Sequence, residues 1–266
     1  MRDKISACLT AGNEERNIRR CLESLRWVDE IVVVDSYSRD RTVEISREYT
    51  DRVYQHEWLG YVGQKELIKK MATHNWVLFI DADEEVSDDL REEILREFHT
   101  GANRSCVGYK FPRKVFFMGQ WITYGEWWPD LKLRLFRKDK GISTGTEPHD
   151  YVAVQGPVRR LQCCLHHYTY DDISDQIATL NRFSTISSSG MHDQGRRVGV
   201  SDLVLRPLFR FFKAYFLKRG FAGGQRGLII SVLNSVGVFL KYAKLWELNN
   251  VSAPPTAQPP DAAKGA

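Results

Sequence analysis

The chain has 266 residues, of which 42% are hydrophobic, so it can form one large α/β domain with an appendage and is unlike a disordered protein. Its net charge of +4 is mild, and no nucleic-acid recognition motif accompanies its basic residues, which argues against a nucleic-acid-binding protein. The five cysteines lack zinc-ligand spacing and no secretory signal opens the sequence, so we predict a protein of the reducing cytoplasm.

The amino-terminal part alternates between apolar runs and helical patterns. The apolar runs predict strands at 4–9, 31–34, 52–54 and 76–80. Periodic apolar residues predict helices at 13–25, 42–49 and 61–73, with a fourth beginning near Ser87. This β-α order with short connections predicts a parallel sheet with helices on both faces.

Polar residues follow three of these predicted strands at the point where each strand ends. The carboxyl ends of parallel strands lie on one edge of a sheet, where open α/β sheets bind ligands, so we expect these residues to converge in one crevice. The three strand ends contain Thr10, Ala11, Asn13 and Glu14 after the first strand, Asp35 and Ser36 after the second, and Asp81, Ala82 and Asp83 after the fourth, the two alanines being their apolar members.

The pair Asp81 and Asp83 carries the strongest chemical signal. Two carboxylates one residue apart can bind Mg²⁺ or Mn²⁺ and leave most of the coordination sphere to water and diphosphate oxygens. The alternative is that both are turn residues before the next helix, where Asp is common. The chain has neither a Walker A lysine loop nor a GxGxxG motif, which argues against an ordinary kinase or dehydrogenase.

Three segments in combination resemble the family 2 glycosyltransferases of the GT-A fold: TAGNEERNIRRCLESL, DEIVVVDSYSRDRTVEI and WVLFIDADEEV. Further on, WWPDLKLRLFRK, EPHD, LHHYTY and the aromatic basic carboxyl-terminal segment resemble the bacterial glucosyltransferases that act on the lipopolysaccharide inner core. The resemblance covers residues 4 to about 247. It implies a Rossmann-like, mostly parallel α/β sheet, a UDP-sugar donor, bound Mg²⁺ or Mn²⁺, and inverting transfer.

The resemblance also implies roles for single residues. Asp83 and Asp81 hold the metal, and His149 is a third ligand, a diphosphate contact or a hydrogen-bonded structural histidine. Asp35 resembles the position that contacts uracil or ribose. Lys65 faces the diphosphate or is a solvated helix lysine. The other residues named at the three strand ends line the donor site.

Inverting transfer needs a base for the acceptor hydroxyl, and a carboxylate within hydrogen-bond reach is the usual choice. Residues 101–170 are expected to form the acceptor half, with short strands at 106–111, 115–118, 133–136 and 151–154 and a loop at 121–129. The candidate bases in this half are Glu126, Asp130, Glu147 and Asp150. Asp150 is preferred because its distance from the segment RLFRK resembles that of the family's base, and Asp130 comes second.

Residues 203–221 predict a basic amphipathic helix of the kind that lies in an anionic membrane interface. One side carries Val204, Leu208, Phe211, Phe212 and Tyr215, and the other carries Arg206, Arg210 and Lys213. The alternative is a helix packed on the catalytic domain with its basic face in water. A second apolar stretch, 227–240, reads as too short and too polar to span a membrane.

Together these features predict a catalytic domain at 1–170, with a nucleotide-sugar half at 1–100, a membrane-associating helical region at 171–250, and a disordered tail at 251–266. The expected activity is transfer of a hexose, glucose from UDP-glucose, to a lipid-anchored saccharide such as the lipopolysaccharide core. The enzyme would be peripheral on the inner face of the cytoplasmic membrane. The alternatives are a polyprenyl-phosphate sugar transferase and a catalytically silent nucleotide-sugar-binding or membrane-adaptor protein.

Overall fold

The computed structural model describes residues 2–146 and 149–251, except for the side chain of His149. The predictions of Glu147 as a base, of the His149 side chain as a ligand and of a disordered tail at 251–266, beyond its first residue, therefore lie outside the described residues. The strands are β1 (Ile5–Ala11), β2 (Glu30–Asp35), β3 (Val53–Gln55), β4 (Trp76–Asp81), β5 (Glu84–Val86), β6 (Gly108–Phe117), β7 (Gln120–Ile122), β8 (Asp130–Arg137), β9 (Gly141–Thr146), β10 (His149–Val154), β11 (Val158–Arg160) and β12 (Leu165–His167). The helices are α1 (Ile18–Glu23), α2 (Thr42–Arg47), α3 (Gly60–Met71), α4 (Asp88–His99), α5 (Ile173–Asp193), α6 (Val200–Phe212) and α7 (Gly224–Asn250).

Most strands belong to one mixed sheet in the order β3-β2-β1-β4-β8-β6-β12-β5. Its first four strands are parallel, as the sequence predicts, and β8 then pairs antiparallel with both β4 and β6. Helices α1, α2 and α4 pack on one face of the sheet, and α3 packs on the other. The GT-A-like, mostly parallel arrangement with helices on both faces is therefore confirmed.

The strand register brings the predicted strand ends together. Thr10 on β1 is level with Asp81 on β4, and Ala11 is level with Asp35 on β2. The first helix is shorter than predicted because the segment before it forms a turn: Asn13 has a positive φ of 58°, and the Glu14 carbonyl accepts hydrogen bonds from the amides of Asn17 and Ile18.

The predicted strands 106–111 and 115–118 are wrong as separate elements, since β6 runs through both. Pro112 lies in its interior and has no N–H to donate. The strand tolerates it because β11 pairs with β6 up to Lys110 and β12 only from Arg113 onward, so Pro112 falls between these two partners.

The carboxyl-terminal region is a group of three helices in which α7 packs against α5 and α6. The predicted helix at 203–221 is wrong at its end, because α6 ends at Phe212 and a π-helical turn, Lys213–Leu217, follows. The stretch at 227–240 is part of a longer helix than predicted. Within the described residues, the segment Gly220–Asn250 is the one helical stretch long and apolar enough to cross a membrane, judged by length and composition.

Candidate active site

A lysine joins two of the predicted site carboxylates. The Nζ atom of Lys65, on α3, lies 2.8 Å from Oδ2 of Asp150 and 3.4 Å from Oδ1 of Asp81. Arg134, on β8, approaches Asp81 from the other side. Burial opposes ionisation of Asp81, but the attraction of Arg134 and Lys65 outweighs it and holds the pKa of this carboxyl well below its usual range. The structure thus brings Asp81, Lys65 and Asp150 together as one charged group.

Asp83 faces a histidine that our sequence analysis did not select. Its Oδ2 atom lies 3.0 Å from Nε2 of His167. Burial raises the pKa of Asp83, but the interaction with His167 outweighs burial and lowers it overall. Strand β12 positions His167 by pairing antiparallel with β5, where His167 is level with Glu84. The signal in the sequence was the segment LHHYTY, but nothing local shows which strand it joins.

The donor atoms near Asp83 suit a small divalent cation. A carboxylate and an imidazole are ligands that Mn²⁺ accepts, and Mg²⁺ or Mn²⁺ fills its other positions with water and phosphate oxygens. Among the described residues no group of three or more His, Cys, Asp or Glu side chains forms a closed metal cage. The carboxylate of Asp81 is engaged by two cations, so its role as a ligand stays a prediction.

A second carboxylate, the buried Glu84, binds two arginines near Asp81. Its Oε1 atom accepts hydrogen bonds from Arg134 at 2.8 Å and from Arg113 at 3.1 Å. Arg113 in turn binds Asp130 at 2.8 Å. A chain of alternating charges therefore runs from Asp81 on β4 to Asp130 on β8, through side chains on β8, β5 and β6. Glu84 was missed in the sequence, although it directly follows the Asp81-Ala82-Asp83 segment.

Asp35 is fully buried and organises the loop after β2. Its carboxylate accepts hydrogen bonds from the Ser38 amide at 2.9 Å and from Gln55 Nε2 at 3.2 Å. Ser36 Oγ accepts from Gln64 Nε2, on α3, at 3.1 Å. This predicted nucleoside site is thus a tightly hydrogen-bonded loop that leads toward α3.

The segment after β1 is hydrogen-bonded to the loop that follows β2. The Asn13 amide donates to Ser38 Oγ at 2.7 Å, and Asn13 Oδ1 accepts from the Arg39 amide at 2.9 Å. Burial, together with the nearby charges of Asp83 and Asp81, raises the pKa of Glu14 to about 7. The remaining predicted donor residues lie at the same edge of the sheet: Thr10 is half-buried, and Ala11 and Ala82 are buried.

The candidate bases have different surroundings. Burial opposes ionisation of Asp130, but Arg113 and Lys132 outweigh it and lower its pKa. Glu126 lies in a short turn after β7 and contacts the carboxyl-terminal helices: one of its carboxylate oxygens is 2.8 Å from Arg210 Nε. Of the three described candidates, Asp150 alone shares a cation with Asp81.

A family model, curated relatives and solved structures are similar to this chain. A model of the family described as glycosyl transferase family 2 matches residues 6–160. An uncharacterized glycosyltransferase of Rickettsia typhi is 30% identical over 256 residues, which cover 92% of this chain and 88% of the relative. The lipopolysaccharide core biosynthesis glycosyltransferase LpsC of Rhizobium meliloti is also 30% identical, over 94% of this chain and 95% of its own length. Among solved structures, TarS of S. aureus aligns with a TM-score of 0.47 and 15% identity, over 93% of this chain and 88% of that one.

Proposed function

This chain belongs to glycosyl transferase family 2, and from that we propose that it moves a hexose, glucose from UDP-glucose, onto a lipopolysaccharide-core-like acceptor in an inverting, metal-dependent reaction. The observation that carries the proposal is the group of Asp81, Lys65 and Asp150, in which Asp81 ends the parallel strand β4 two residues before Asp83. The name of the Rhizobium meliloti relative supports the choice of acceptor class.

In this proposal the donor lies along the edge of the sheet. The loop organised by Asp35 holds the nucleoside, and Asp83 with His167 holds Mg²⁺ or Mn²⁺. When bound, the metal neutralises negative charge that grows on the leaving diphosphate. Lys65, whose ammonium group already lies between two carboxylates, binds the diphosphate as a second positive charge.

Asp150 acts as the base. In the free enzyme Lys65 neutralises it, and an arriving diphosphate competes for the same ammonium group. Asp150 then takes the proton of the acceptor hydroxyl as that oxygen bonds to the anomeric carbon and the bond to the diphosphate breaks. Asp130 is the weaker candidate because Arg113 and Lys132 lower its pKa, which makes its carboxylate a weaker proton acceptor.

The helical region supports a membrane-bound acceptor. Both α6 and α7 expose large apolar side chains, among them Leu208, Phe209, Phe212, Val236 and Phe239. Helix α7 also packs on the polar helix α5, where Lys244 Nζ contacts Asn181, Ser184 and Thr185. A helix with such a neighbour fits an interfacial position better than a span. Residues 171–250 thus hold the catalytic residues 1–170 at the inner face of the cytoplasmic membrane.

A donor screen tests the activity. The protein is mixed with a lipopolysaccharide-core acceptor and a panel of nucleotide sugars, and nucleoside diphosphate release is measured with Mn²⁺, with Mg²⁺ and with excess chelator. We expect UDP-glucose to give the fastest release, and we expect Asp83→Asn to lower turnover by at least about a hundredfold in a folded protein, since a metal supplies several kcal/mol. Full activity in chelator would remove the metal from the proposal, and no release with any donor would favour a silent binding protein.

A further inference from the structure

A groove lies between α6 and α7, on the side of the helical region that carries its basic residues. Its volume is about 410 Å³. Cationic and apolar side chains line it together: Arg206, Arg210, Lys213 and Lys241, with Leu205, Phe209, Val238 and Tyr242.

The cations of the groove outnumber their partners. Arg206 pairs with Asp202, while Arg210 and Lys213 share the single carboxylate of Glu126. Lys241 forms no ion pair with any residue that the structure describes. Positive charge is therefore left over at the point where the two helices meet.

The excess charge is concentrated around one buried ring. Lys241 Nζ and the guanidinium carbons of Arg206 and Arg196 lie 5.0, 5.2 and 5.8 Å from the centre of the Tyr242 ring. Burial lowers the pKa of Lys241, and repulsion from Arg196, Arg210 and Arg206 adds to this effect. An anion in the groove would relieve this repulsion.

Apolar side chains adjoin the cations. Leu205 and Phe209 line the groove and are both exposed, and Leu208 and Phe212 are exposed on the same helix. A soluble anion has no apolar part that could pack on these side chains. A lipid has acyl chains directly below its charged headgroup, and these can pack there. The combination of uncompensated cations and adjoining apolar side chains is complementary to an anionic lipid.

We propose that the groove between α6 and α7 binds the phosphate of an anionic membrane lipid. The inference deepens the proposed membrane association and rests on it. Several cations converge on a small volume, so the groove favours a phosphomonoester headgroup over a phosphodiester headgroup of lower charge. A diffuse basic surface would respond to the total charge of the membrane alone.

Vesicle cosedimentation tests this proposal. The full chain is mixed with phosphatidylcholine vesicles that contain phosphatidic acid or, at equal surface charge, phosphatidylglycerol. We expect tighter binding to phosphatidic acid, and we expect Arg206→Gln with Lys241→Gln to weaken that binding by about tenfold or more, since each basic residue contributes near a charged surface. Arg197→Gln with Lys218→Gln removes the same charge from exposed positions outside the groove and should keep the preference.

Three outcomes would overturn the proposal: equal binding to both anionic vesicles, equal losses in the two double variants, or equally tight binding of inorganic phosphate in the absence of lipid. Lys241→Gln alone is the milder variant if the double variant melts early. UDP binding, measured by calorimetry on every variant, reports on the donor site separately. If the wild type binds UDP but binds none of the vesicles, the lipid site and the membrane association are both wrong. The transferase proposal is not affected by that result.

Discussion

Several charged side chains around Asp81 each form ion pairs with two partners. A single substitution there therefore changes the surroundings of more than one group. Lys65 forms ion pairs with both Asp81 and Asp150. Glu84 forms ion pairs with both Arg134 and Arg113. Removal of one partner from a buried ion pair leaves an uncompensated charge, which costs more than the pair contributes. Substitutions at the edge of this network are cleaner tests of chemistry than substitutions at its centre.

Asp150→Asn should lower turnover strongly without weakening UDP binding, because the diphosphate loses a competitor for Lys65. The base acts on the acceptor in the transition state, so its loss appears in kcat; general bases contribute about 10²–10⁴-fold. Asp130→Asn is the matched substitution on β8. An active Asp150→Asn protein together with an inactive Asp130→Asn protein would transfer the role to Asp130.

Glu14 should make stability fall as pH rises. Its pKa is about 7 in the folded chain against an ordinary value of 4.5, so the folded state binds the proton more tightly. The resulting stabilisation is complete below pH 4.5 and is lost as pH rises through about 7, a change on the order of 3 kcal/mol. Denaturant unfolding of Glu14→Gln between pH 5 and pH 8, in chelator, should show a flatter profile. The exposed residue Glu57, changed to Gln, is the control and should keep the wild-type slope.

At the scale of elements, local pattern predicts the parallel half of the sheet and fails where distant strands meet. The runs at β1, β2 and β4 end in polar residues, and parallel pairing alone brings Thr10, Asp35 and Asp81 to one edge. The position of His167 depends on the pairing of β12 with β5 and β6, which are far away in the sequence. No periodicity encodes that register, so Asp83 could be predicted and its partner could not.

The contact between α7 and the segment before it leaves no room for a side chain at Gly227. A Cβ atom at Gly227 would lie 1.8 Å from the Gly220 carbonyl oxygen, whereas one at Gly190, on α5, meets nothing within 4 Å. Gly227→Ala should therefore destabilise the chain by about 1–3 kcal/mol. Gly190→Ala should leave stability equal or raise it by up to about 1 kcal/mol. Thermal unfolding of both variants decides this, and equal melting temperatures would contradict the packing at Gly227.

At the scale of the whole molecule, Glu126 joins residues 101–170 to the helical region. The predicted basic face of α6 is thus only partly free, because Arg210 and Lys213 contact this carboxylate. Their substitution would mix a loss of membrane attraction with a loss of internal pairing. Substitution of exposed apolar residues on α6 tests membrane binding without breaking the ion pairs with Glu126.

Leu208→Gln should weaken binding to vesicles by about tenfold, since burial of a leucine side chain contributes about 1.5–3 kcal/mol. The loss should persist at high salt, because apolar burial is not screened. Ile142→Gln, in the β9–β10 hairpin, is the control: Ile142 is 58% exposed and Leu208 is 61% exposed. Cosedimentation at two salt concentrations measures both. Equal losses in the two variants would remove α6 from the membrane surface.

The position of Lys65 between Asp81 and Asp150 has a kinetic consequence. While one ammonium group bridges both carboxylates, an acceptor hydroxyl that reaches Asp150 meets a neutralised partner and gains little from it. In the proposed mechanism the nucleotide sugar therefore enters before the acceptor. A base that is released only when a diphosphate takes Lys65 predicts a compulsory order of addition, with the donor first.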